Sequence, residues 1–354
     1  MGVELDLELL HALVTAAGPA GMEGQVSEVI RSHPVAQEAA GVEEDLLGNL
    51  ILDLGGSGPV LLIDAHMDEV GFMVRLVDSA GFIRVIPLGG MDAQTASGQR
   101  VIIHSGSGIK VPGIIGHLPP HVSSEDGGGK PARISDLYID TGLEPKRVKE
   151  LVSPGDTVVF PDVWEISGSS VMARALDDRV GLFVILEALK RLKEKGWQPK
   201  DYRLYVSFTV QEENGLKGAG PVAERIRPVA ALAVEGTVAN DVPGVSEDRV
   251  LARLGHGPEI RLSDGRFLAD RRLCRFLADT ARQAGIRHQI VVKEVGGTNA
   301  GMFQVRALGC MAGALSVPVR YIHAPCGIAR LSDIEGAVQL LAAFLEEARG
   351  LMGS

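Results

Sequence analysis

The chain has 354 residues, 45% of them apolar and 23% charged, with 45 acids against 35 bases. This is the composition of an ordinary globular protein, long enough for about two domains. Its acidity excludes the broad basic surface that nucleic acid or an anionic membrane requires as a partner.

Three cysteines, Cys274, Cys310 and Cys326, share no CxxC spacing, so neither a disulfide framework nor a thiolate zinc site is expected. The start is acid-rich where a leader would be basic. No apolar run approaches the ~20 residues of a membrane span. A cytoplasmic setting is therefore expected.

In chain order, Leu5, Leu9, Leu13 and Val14 share a helical face that GPAG at 18–21 breaks, and a second helix is expected around Val26, Val29 and Ile30. NLILDLG and GPVLLIDAH read as strands parted by a Gly-Ser-Gly-Pro turn. From Gly71 to Asp162 the texture is β throughout. FMVRLVDSAGFIRVIPLGG has the pattern of a hairpin, and QRVIIHSGSGIKVPGIIG, LYIDTG and DTVVFPDV continue the short strands, with one helical turn near 144–151. SSEDGGGKPAR at 123–133 is expected to be a mobile loop.

After residue 170 strands and helices alternate. DDRVGLFVILEALKRLKEKG is a helix apolar around most of its surface, expected to lie deep against a sheet. Strands YRLYVSFTV and VAALAV, helix RRLCRFLADTARQAG, and strands HQIVV and GALSVPVRYI follow. The last helix opens on SDIE, read as a capping box of Ser332 and Glu335. The expected fold is α/β: a mixed sheet flanked by helices, built from residues 1–70 and 163–354, with a small all-β domain inserted at 71–162.

Chemistry in such folds gathers at the carboxyl edge of the sheet, so the residues that end each apolar strand matter. VLLIDAH ends at His66, LYVSFTVQEE at Glu212 and Glu213, ALAVEG at Glu235 and VPVRYIH at His323, while the deep helix begins with Asp177 and Asp178. Each feature alone has a bland explanation, such as a capping aspartate or a solvated pair of glutamates. Five together at one edge point to a metal site. Two imidazoles and three carboxylates suit zinc, cobalt or manganese. A pair of ions about 3.5–4 Å apart needs one bridging carboxylate and ligands on either side. Neighbouring side chains of an extended segment diverge, so one of Glu212 and Glu213 can bind metal while the other acts as a base. Asp68, two residues after His66, is placed to orient that imidazole.

AHMDEVGFMV (65–74), GIIGHLPPH (113–121), LYIDTG (137–142), ALDDRVG (175–181), VQEENGLKGA (210–219), VEGTVANDVPG (234–244), GGTNAG (296–301) and YIHAP (321–325), in this order, give the chain a resemblance to the dinuclear metallo-aminopeptidases of the glutamyl and tetrahedral (TET) type, some of which carry an endoglucanase label. The resemblance spans nearly the whole chain. It implies a zinc-peptidase-like catalytic domain in which His66 and Glu235 complete one metal, Glu213 and His323 the other, and Asp177 bridges. Glu212 would be general base and acid, supported by Asp68. It further implies two zinc or cobalt ions, with manganese also compatible, a dimerising β insertion, homo-oligomers assembling to a dodecamer, and removal of the first residue from peptides with a free N-terminus. The chain departs from the family's pattern at Asn299, often Asp, at Asn214, usually apolar, at Glu235, often Asp, and at Cys326 in the tail after His323.

Two other activities compete. A dinuclear deacylase or carboxypeptidase would use the same donors on a different substrate. A glycosidase would use paired carboxylates, but it gives the two histidines no role and needs aromatic platforms, whereas Trp164 and Trp197 lie outside every motif.

Overall fold

The computed structural model describes residues 5–118 and 133–352, so the loop expected at 123–133 lies almost wholly outside the described residues. β1 (Gly41–Glu44), β2 (Leu50–Gly56) and β3 (Val60–His66) come first. A closed antiparallel barrel follows, made of β4 (Gly71–Val77), β5 (Ile83–Leu88), β6 (Arg100–His104), β7 (Lys110–Gly116), β8 (Tyr138–Asp140) and β9 (Thr157–Val159). β9 closes it by pairing with both β4 and β6.

The chain then returns to the first sheet with β10 (Trp164–Ser167), β11 (Ser170–Ala173), β12 (Arg203–Thr209), β13 (Ala230–Val238), β14 (Glu259–Ser263), β15 (Gln289–Val292), β16 (Met311–Arg320) and β17 (Gly327–Arg330). Its order is β1-β2-β12-β3-β13-β16-β17-β11-β10, with β14 and β15 beside β16. The protein is thus a mixed α/β sheet with helices plus a small barrel.

The four middle strands, β12, β3, β13 and β16, run parallel, so their carboxyl ends meet at one edge. Both faces of the sheet are covered, which is why these strands read as nearly unbroken apolar runs. Alternation along β3 divides its side chains between layers. Leu61 and Ile63 join the large core with the helix Leu176–Glu194, while Leu62 packs with Ala219, Val222 and Ala223 of the helix Ala219–Ile226. The Leu176–Glu194 helix buries Val180, Phe183, Ile185, Leu186 and Leu189 around its circumference. At about 1.5–3 kcal/mol per large side chain, it anchors the fold and fixes the site at its own start.

Two expectations need correction. The last helix runs Leu331–Glu347 after an N-cap at Arg330 that forms no side-chain cap. Ser332 therefore lies inside the helix and cannot cap it, and Glu335 pairs instead with Arg191 at 2.7 Å. β13 does not end at Glu235 but continues to Val238 alongside β16. Its pairing with β3 stops at Ala233 opposite Asp64, and the crevice beyond that point is flanked by His66 on one strand and Glu235 on the other. No helix among the described residues is long and apolar enough to cross a membrane.

Candidate active site

His66 ends β3 buried, its Nδ1 3.1 Å from the carbonyl oxygen of Asp68. A carbonyl can only accept, so Nδ1 carries a proton, and Nε2 is the ring nitrogen that faces the cavity. The Asp68 carboxylate lies 3.4 Å from the same ring nitrogen and accepts the backbone N–H groups of Glu212 at 2.8 Å and Glu213 at 3.0 Å. One aspartate thereby ties the histidine strand to the glutamate pair.

Asp177 faces both histidines. Its Oδ1 is 3.2 Å from His66 Nε2 and its Oδ2 is 3.4 Å from His323 Nε2. His323 also meets Glu213 Oε1 at 3.0 Å, and His66 Nε2 lies 3.9 Å from Glu212 Oε2. The Asp177–Asp178 peptide bond is cis. Asp178, fully buried, accepts N–H groups from His66, Gly181 and Gly236, so it pins the histidine strand and the residue after Glu235 to the helix start. Non-glycine residues with left-handed backbone cluster here: Ala175, Gln211, Leu216, Tyr321 and His323. Each such conformation costs on the order of 1 kcal/mol and persists where surrounding contacts enforce it. The Gly89-Gly90 pair comes from the barrel side, and a Cβ on Gly89 would lie 3.1 Å from the Glu213 Cβ, one on Gly90 3.3 Å from His323 Nδ1. Gly89 also has φ of 85°, a conformation that favours glycine.

The structure gathers every sequence-predicted site residue into this region. His66, Asp177, Glu212, Glu213, Glu235 and His323 line one cavity of about 630 Å³, and Asp68 lies behind them. Two sets of donor atoms fall within 4.8 Å of one another, His66 with Glu212 and Glu213, and Asp177 with Glu213 and His323. Glu235 belongs to neither set, because its carboxylate is turned to Arg261 Nη1 at 2.7 Å. Asp178 is named in the sequence at the start of the deep helix but given no role there, whereas Arg261, Asn49 and Glu23 carry no local signal.

The donor set attracts cations. Burial opposes charge on His66, yet Glu212, Asp177 and Asp68 raise its pKa well above the ordinary value. Burial likewise opposes charge on His323, but Asp177 and Glu213 carry it to about 11. Burial works against Asp177 ionisation too, and the two histidines overcome it and hold the carboxyl below its usual range. Glu235 is pushed up to about 7, chiefly by burial. The buried Oε1 atoms of Glu213 and Glu235 face nitrogen partners, His323 Nε2 at 3.0 Å and Arg261 Nη1 at 2.7 Å. Imidazole and carboxylate donors of this kind fit a borderline divalent metal.

Three departures also find places. Asn299 donates at 2.8 Å to both Asp64 and Thr209, so Asp64 already supplies a buried carboxylate there and an aspartate at 299 would face a like charge. Asn214 is exposed. Cys326 is half-buried with its thiol pKa raised by burial and by Glu165, the opposite of a reactive thiolate.

Comparison with known proteins places these features in a family. The model of the M42 glutamyl aminopeptidase family matches residues 48–340. The chain is 32% identical to the glutamyl aminopeptidase of Lactococcus lactis, over 95% of this chain and 94% of that one. It is 30% identical to the lysyl aminopeptidase of Pyrococcus furiosus, over 97% of each. Among solved structures, the Pyrococcus horikoshii TET1 peptidase, described as assembling into a tetrahedron or a large octahedral shell, superposes with a TM-score of 0.84 at 34% identity, covering 96% of this chain and 98% of that one.

Proposed function

The chain belongs to the M42 glutamyl aminopeptidase family and is an aminopeptidase, and on that premise we propose that it works with two divalent cations and Glu212 as general base. His66, Asp177, Glu213, Glu235 and His323 would hold the cations, zinc or cobalt, with Asp177 between them. The observation that carries this reading is the Asp177 carboxylate, which presents one oxygen to each histidine Nε2. Arg261 beside Glu235 fits the pattern of a ligating carboxylate steadied by an outer partner. When bound, such cations polarise a carbonyl and acidify water.

The protein's own groups supply the rest. Burial, offset by His66 and reinforced by Glu213 and Glu235, raises the Glu212 carboxyl above its ordinary value, which makes its carboxylate a stronger base. Glu212 takes a proton from the attacking water and returns one to the leaving amine. The other wall of the cavity carries Arg261, Arg266 and Lys293. Arg261 and Lys293 are paired with buried acids, whereas Arg266 is exposed and no acidic side chain pairs with it among the described residues. We place the side chain of the first residue against this wall, which favours an acidic one.

The cavity has no aromatic lining among the described residues, which argues against sugar platforms and a glycosidase. The deacylase reading is separated by substrate. Free-amine aminoacyl anilides are expected to be cleaved and N-acylated ones not; the reverse pattern would favour the deacylase. In parallel, Glu212→Gln is expected to keep its metal and lose nearly all turnover. Full activity of that variant would refute the role of Glu212.

We also assign residues 71–162 as an inserted domain. Its barrel exposes Ile86, Ile109 and Ile114, apolar surface that suits pairing of two copies, and we propose assembly of such dimers into a dodecameric shell. Light scattering showing a monomer would contradict this.

A further inference from the structure

Beyond Thr209, the end of β12, the chain leaves the ladder and must turn to present Glu212 and Glu213. A backbone that leaves a sheet inside a protein has N–H groups that need new acceptors. Here four successive ones are each bound by a side chain from elsewhere. Val210 N–H donates to Asn49 Oδ1 at 2.9 Å, Gln211 N–H to Glu23 Oε1 at 3.1 Å, and those of Glu212 and Glu213 to Asp68.

Neither Glu23 nor Asn49 lines the metal-binding end of the cavity. Both are nonetheless buried, Asn49 completely and Glu23 to 5% exposure. Glu23 Oε1 also accepts the Gly21 N–H at 2.8 Å, which fixes the carboxylate from behind. The Asn49 amide donates to the Gly218 carbonyl at 3.1 Å and to Asp45 at 2.7 Å, so it clasps the far end of the same turn. Gln211 has φ of 55°, a left-handed conformation that a glutamine adopts at a cost. Something must hold it, and the acceptor on its own N–H is Glu23.

We propose that Glu23 and Asn49 are positioning residues for the Glu212–Glu213 pair, completing with Asp68 a row of acceptors that sets where the two carboxylates point. The proposal rests on Glu212 being the general base. Glu23 acts through its oxygen and not its charge. Burial, opposed by its backbone hydrogen bonds, pushes its carboxyl up to about 7, and Oε1 accepts in either protonation state. A misplacement of about 1 Å at a reacting group can cost on the order of a hundredfold in rate, whereas binding of the substrate's remote parts is untouched.

The test compares Glu23→Met, which keeps the volume and removes the acceptor, with Glu23→Gln, which keeps an acceptor, in the full chain loaded with cobalt. Steady-state rates on an aminoacyl anilide, metal content and thermal midpoint are measured for each. Glu23→Met is expected to lower kcat at least about tenfold while KM and metal content stay near wild type, and Glu23→Gln is expected to recover most of kcat. Asn49→Leu makes the same test at the neighbouring amide, and decides it if Glu23→Met does not fold. Unchanged kcat in the acceptor-free variants would overturn the proposal, as would a Gln variant as impaired as the Met variant. Glu212→Gln, run beside them, keeps the two ideas apart: if it is fully active, the base assignment fails whatever Glu23 does.

Discussion

The Asp68 carboxylate accepts the backbone N–H of Glu212 at 2.8 Å, with its other oxygen on Glu213 at 3.0 Å, while its carbonyl receives the His66 imidazole. Asp68→Asn keeps one carbonyl oxygen and turns an NH2 toward a backbone donor. Its kcat is expected to fall by on the order of 10–100-fold, with KM changed less. A wild-type kcat would mean that the glutamate turn does not depend on this residue.

The basic wall makes a prediction about the first residue of the substrate. Glutamyl and aspartyl anilides are expected to have higher kcat/KM than lysyl anilide. Arg266→Glu is expected to reverse that order, with a change of roughly 1 kcal/mol for an exposed charge pair. A panel showing lysyl preference in the wild type would place the side chain elsewhere.

Acid stability should depend on His33. Burial, then the Lys190 charge, lowers its pKa from 6.5 to about 4. The unfolded chain therefore binds the proton more tightly, so this histidine's contribution is complete above about 6.5 and is lost as pH falls toward 4. His33→Asn keeps an acceptor for the Val35 N–H, which His33 Nδ1 now binds at 3.3 Å, and removes the titration. Its unfolding free energy by urea is expected to vary less between pH 6.5 and 4, by on the order of 2 kcal/mol. Identical slopes would exclude His33 as a source.

Glu69 and Arg174 form a buried ion pair at 2.6 Å, and Arg174 also donates to the carbonyl oxygens of Val14 and Thr15 at the end of the first helix. Arg174→Met strands a buried carboxylate that retains only Arg179 and the Gly18 N–H. A loss of roughly 3 kcal/mol is expected from urea unfolding. A loss under about 0.5 kcal/mol, the scale of an ordinary surface change, would show the pair to be dispensable.

Much of this site is legible in the sequence because parallel strands buried on both faces leave continuous apolar runs, and polar residues stand out where those runs stop. His66, Glu212 and Glu213 were found that way. Glu235 was found for a partly wrong reason, since its strand runs on to Val238. β14 went unseen because Glu259 and Arg261 lie inside it, both buried and paired with each other at 2.9 Å, and two charges mask an apolar pattern. The partners of the glutamate turn, Glu23 and Asn49, are far away in the chain and have no local signature. Their role depends on tertiary proximity alone. Asn299 makes the same point: its meaning depends on Asp64, 235 positions earlier.

We place Asp177 between two cations. Metal content per chain, measured by mass spectrometry after loading with zinc or cobalt and exhaustive removal of excess, tests this placement most directly. About two ions per wild-type chain are expected, with at least one lost in Asp177→Asn together with activity. A wild-type protein that retains no stoichiometric metal, or an Asp177→Asn variant that keeps both ions and full turnover, would contradict the account.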